Sequence, residues 1–166
     1  LLKTAKLTKL GLLTAIALIL SLVENMLPPL VPFLPYAKLG LSNVVLLFAL
    51  IALGVGEGYI ILLIKCLFFS VFSANFSILL WSLPASFIAY SVMVALKYLN
   101  AFSTSGISAA GAMTHNAVQI IVAAIIIGNT VFVYLPYMLL AGGLAGLFTG
   151  LCCHFLAVAL IKKPKI

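Results

Sequence analysis

"YIILLIKCLFFSVFS", residues 59–73, decides the fold. It is an apolar run interrupted by a single charge, Lys65. At about 1.5 Å per residue it covers most of a hydrocarbon core roughly 30 Å thick. The rest of the chain has the same character. Hydrophobic residues make up 66% and charged residues 7%, whereas soluble domains carry roughly 25% charged residues. Mean hydropathy is +1.37. The sequence therefore describes an all-α integral membrane protein. Its spans fill nearly all of residues 1–166, which implies a single transmembrane domain and leaves no room for a soluble one.

Six helices are expected, at about 8–27, 39–55, 59–73, 77–99, 107–127 and 131–161. "PPLVPFLP" (28–35) ends the first, because a helix cannot continue through so many prolines. "GVGEG" (54–58) should form a tight turn, "NAFSTSG" (100–106) a polar loop, and "GNT" (128–130) another turn. Pro84 is a candidate kink. The last helix is long for one crossing and should tilt, or break near Pro136 or "AGG" (141–143).

The net charge is +7, and all nine basic residues are lysines; there is no Arg and no Asp. Lys3, Lys6 and Lys9 lie at one end of the chain and Lys162, Lys163 and Lys165 at the other, with Lys97 between the fourth and fifth helices. An even number of spans puts all of these on one side, which the positive-inside rule makes cytoplasmic. Lys38 is the exception. The expectation is a multi-pass membrane protein with both termini cytoplasmic. Flanking lysines suit anionic headgroups, so the lipid bilayer is the expected partner and nucleic acid is not. The N-terminus resembles a signal peptide, but "ENMLPP" offers no small-x-small cleavage site, and a retained first helix is expected.

Several polar residues fall inside spans. Lys65 should lie about 10 Å into the third helix and His115 at a similar level in the fifth. Gln119 is one turn further along the same face, and Asn116 points about 100° away from His115. Glu24 and Asn43 belong near the outer ends of the first and second helices. An ionisable group facing lipid costs at least about 2.5 kcal/mol, so a shared cavity is cheaper. The expected site is therefore lined by Glu24, Asn43, Lys65, His115, Asn116 and Gln119, opens outward, and takes a small-molecule substrate. Blander roles compete. His115 and Gln119 could be interhelical glue at about 0.6 kcal/mol per bond, Glu24 an interfacial carboxylate, and Asn43, with Ser42, a helix cap.

Catalytic signatures are missing. Without Asp there are no aspartate-rich clusters to hold magnesium and diphosphate, as polyprenyl synthases require. No Gly-rich loop ending in Gly-Lys-Ser/Thr occurs. No catalytic residue, metal or cofactor is expected. Cys66, Cys152 and Cys153 form no disulfide framework or metal-ligand spacing and suit small buried hydrophobes. Gly11 and Ala15, and Gly142, Gly146 and Gly150, make small faces at helical spacing. Packing within the chain is the default for such faces, and docking of another membrane subunit is the alternative.

"ENMLPP" (24–29), "AKLGLSNVVLL" (37–47), "GAMTHNAVQ" (111–119) and "YLPYMLLAGGLAGLFTGL" (134–151) together resemble the heptaprenyl diphosphate synthase component I family, also called the Gx transporter family. In sequence character this family is similar to the S components of energy-coupling factor (ECF) transporters. The resemblance implies a six-helix S-component-like bundle that holds a small molecule near its outer face. It implies a membrane coupling subunit and ATPases as partners, with the Gly11/Ala15 face as the docking surface. It also implies a cation at Lys65, where lysine keeps the charge of a family arginine but loses the bidentate fork. "FSANF" (72–76) and "SLPASF" (82–87) are less glycine-rich than the family pattern. The family's name points elsewhere, to a non-catalytic membrane subunit associated with polyprenyl diphosphate synthesis.

Overall fold

The computed structural model describes residues 2–27 and 40–160. They form α1 (Leu2–Met26), α2 (Asn43–Ala52), α3 (Val55–Phe72), α4 (Ser77–Leu99), α5 (Thr104–Ile127), a 3-10 turn (Asn129–Tyr134) and α6 (Leu135–Leu160). Five stretches are long and apolar enough to cross a membrane: four single helices, and the 3-10 turn together with α6. A belt of exposed apolar side chains, among them Ile19, Phe72, Leu80, Ile125, Leu144 and Phe155, covers their outer faces. This is a multi-pass membrane protein with an all-α bundle.

Local chemistry explains where the helices stop. Asn100 ends α4 at φ 50°, a left-handed conformation that asparagine tolerates. Ser103 then caps α5, its side chain accepting the Gly106 N–H at 3.2 Å. Gly128, at φ 117°, ends α5. The expected break in the last helix comes where the 3-10 turn gives way to α6. Pro136 sits in the first turn of α6, where a missing N–H does no harm. "AGG" (141–143) stays inside the continuous helix, and α4 continues through Pro84.

The second helix departs from expectation. It runs from Asn43 to Ala52 instead of 39–55 and is about 15 Å long, half the depth of a bilayer core. The sequence NVVLLFALIA has no polar face, and a helix apolar all round belongs inside a bundle. Val45 to Leu50 are buried, and α2 packs on α1, α3, α4, α5 and α6. The turn after it is only Leu53 and Gly54, so most of "GVGEG" belongs to the first turn of α3.

Ion pairing and hydrogen bonds set the directions. Lys6 pairs with Glu57, joining the starts of α1 and α3, which therefore run parallel. Lys97 Nζ donates to the Leu50 carbonyl at 2.7 Å, placing the end of α4 beside the end of α2. One end of the bundle thus carries Lys6, Glu57 and Lys97. Because the Lys6–Glu57 pair is largely exposed on the lysine side, Glu57→Gln should cost less than about 1 kcal/mol in a thermal unfolding measurement.

The most extensive helix contact is α5 against α6. A Cβ on Gly146 would lie 2.6 Å from Ala109 Cα, and one on Gly150 2.6 Å from Ser105 Cα. The Gly142/Gly146/Gly150 face therefore packs within the chain, and the Ser108 and Thr149 hydroxyls bond beside it at 3.1 Å. Gly11 behaves differently. Gly11 and Ala15 are exposed, and nothing lies within 4 Å of a Cβ added at Gly11. Among the described residues the Gly11/Ala15 face is left uncovered, because the buried stripe of α1 is Thr14, Ala17, Ser21 and Glu24, on another face.

Candidate site at the buried lysine

Lys65 is 3% exposed. Since α3 begins at Val55, it sits about 15 Å from the helix start, deeper than expected. Its Nζ donates to Ser42 Oγ at 2.8 Å. Among the described residues no carboxylate lies within ion-pair distance of this ammonium. Glu24 is not its partner. That carboxylate accepts the Gly40 N–H at 2.5 Å, joining the end of α1 to the approach of α2.

These groups share a pocket at the end of the bundle opposite Lys6 and Lys97. Glu24, Lys65, His115 and Gln119 all line it. Ser21, Ser42 and Ser82 add hydroxyls, and Phe69, Ile78 and Trp81 form the apolar side. The cavity volume is about 20 Å³, room for about one water molecule, within about 430 Å³ of empty space counted out to the mouth. One turn separates His115 from Gln119, so a single face of α5 delivers both.

Two expected site residues stand apart. Asn116 is fully buried between α5 and α6, where its Nδ2 donates to the Met138 carbonyl at 2.8 Å beside Gly142. It lies off the pocket wall because neighbouring residues on a helix diverge by about 100°. Asn43 is 3% exposed and lies behind the wall. Neither its Nδ2 nor its Oδ1 has a hydrogen-bond partner among the described residues. A Cβ on Gly40 would come within 2.7 Å of Asn43 Nδ2 and 3.8 Å of His115 Cδ2. Gly40 also holds φ +79°. Gly40→Ala should therefore lower the unfolding temperature through both strain and crowding, by about 1–3 kcal/mol in stability.

Ser21, Ser82 and Trp81 were not foreseen. Ser21 had a signal: it lies on the same α1 stripe as Glu24, three positions earlier. Trp81 and Ser82 had none, being an ordinary pair in an apolar helix. Lys38 lies outside the described residues. Among those described, no group of three or more His, Cys, Asp or Glu could hold a metal ion. The cysteines are all free; Cys66 and Cys153 are buried, but Cys152 is exposed on the outer face of α6.

The sequence profile of the family described as heptaprenyl diphosphate synthase component I matches residues 13–156. The chain belongs to this family. The matched segment takes in every described residue of the pocket. No curated protein and no solved structure shows significant similarity to the chain.

Proposed function

We propose that this protein is a non-catalytic membrane component that holds a small polar molecule in the Lys65 pocket. One observation carries the reading: a buried ammonium, bonded to one hydroxyl, faces a cavity lined by further hydrogen-bonding groups. An ammonium has three donors, and burying it is costly unless something compensates. An intramembrane ionisable residue of this kind is by default a candidate for a functional site.

Two roles would use such a component. The family's description supports a membrane subunit that serves polyprenyl diphosphate synthesis beside a separate synthase. The pocket supports solute capture in the manner of an ECF S component, with a coupling subunit and ATPases supplying energy. The Gly11/Ala15 surface, uncovered among the described residues, would serve as the docking face in the second role. In either role the lysine end would face the cytoplasm of a bacterial cell, with the pocket toward the outer face of the membrane.

Affinity purification from native membranes separates the roles. Co-purifying membrane and ATPase subunits support capture, and a soluble prenyl synthase supports the other. Under the capture reading, Gly11→Leu should abolish co-purification of the membrane partner while leaving the unfolding temperature of the isolated chain unchanged. Retained co-purification would remove Gly11 from the docking surface.

A further inference from the structure

We infer that the molecule held at Lys65 presents a single negative charge, as a carboxylate does, and is not a diphosphate. This deepens, and rests on, the ligand-holding role proposed above. Lys65 is the one permanently cationic side chain on the described pocket wall. Its ammonium is committed to one acceptor, Ser42 Oγ. The remaining donors can meet one oxyanion without a carboxylate from the protein competing, since Glu24 is not within ion-pair distance. A carboxylate would compensate the buried charge one for one. The hydroxyls of Ser21 and Ser82 line the same wall and suit its second oxygen and its neighbours.

A diphosphate fits this wall badly. It brings two or more negative charges to a described wall that carries one permanent cation, Lys65. Excess charge in a site shielded from water is expensive, because neither counter-ion nor hydration is at hand. Size argues the same way. The cavity of about 20 Å³ suits the compact end of a ligand better than two linked phosphates.

The test uses the full chain in detergent micelles, with thermal unfolding followed during titration by sodium propionate or sodium pyrophosphate at ionic strength matched with sodium chloride. Propionate is expected to raise the unfolding temperature at a concentration about tenfold or more below that at which pyrophosphate does so. Lys65→Gln should abolish the propionate response, and Lys65→Arg should retain it. The inference is overturned if pyrophosphate acts at equal or lower concentration, if neither anion acts, or if Lys65→Gln responds like the wild type. Should the variants fail to fold, the two anions compared on the wild type alone decide. Native mass spectrometry of the same preparation distinguishes the failures. A bound neutral or polyanionic molecule preserves the ligand-holding role and removes only the charge assignment, whereas a bare chain removes both.

Discussion

Lys65→Met is expected to abolish ligand binding and, in the same protein, to raise the unfolding temperature measured without ligand. The two effects have one cause. Lys65 is buried at 3% exposure with a single hydrogen bond and no paired carboxylate among the described residues. Methionine keeps much of the length and volume but carries no charge to desolvate. Replacing even a buried ion pair by apolar residues of similar size is often neutral or stabilising by about 1–4 kcal/mol, and a charge without a paired carboxylate has less attraction to lose. Ser42→Ala should move stability the other way, because it removes the ammonium's hydroxyl partner and leaves the charge in place. The double variant should recover most of the loss, since without the ammonium the hydroxyl has little left to do. A Lys65→Met protein that unfolds at lower temperature than wild type would mean that Lys65 holds the bundle together rather than waiting for a ligand.

Gly146→Leu should be the most damaging single substitution in the α5–α6 contact. Its Cβ would lie 2.6 Å from Ala109 Cα, 2.9 Å from Ala112 Cβ and 2.9 Å from the Ser108 carbonyl oxygen. Backbone cannot swing aside as a side-chain tip can, so α6 must move off α5. Overpacking of this kind typically costs about 1–3 kcal/mol and occasionally more. The separation would also pull Met138 from Asn116 and Thr149 from Ser108. Gly143→Ala is the control. It lies on the same helix, yet its Cβ would only touch Met113 Sδ at 3.5 Å, an ordinary contact. Thermal unfolding in detergent should show a large drop for Gly146→Leu and almost none for Gly143→Ala. Equal behaviour would contradict the packing of α5 on α6.

Much of this architecture was legible in the sequence. The span 77–99 matches α4 as expected, because Asn75, which accepts the Ser77 N–H, and Asn100 give it clear ends. Lys65 and His115 share a pocket, as their matching depths implied. The short, central α2 was not legible. Apolar residues continue on both sides of Ser42 and Asn43, where the helix starts, and Gly40 and Gly54, both at positive φ, bracket the shortened helix. The small-residue faces show the same limit. Gly142, Gly146 and Gly150 look like Gly11 and Ala15 in sequence, yet among the described residues one face meets a helix and the other does not. A spacing pattern tells which residues share a face and leaves open what lies opposite. Asn116 illustrates the finer case. Its 100° offset from His115 was visible, but that the offset leads to Met138 depends on where α6 packs.

Native mass spectrometry of wild-type protein and Lys65→Met, purified side by side from membranes, tests the central claim most directly. The account predicts a small molecule bound to the wild type and lost from Lys65→Met, with both proteins folded. A bare wild-type chain, or the same molecule bound equally to both, would contradict it.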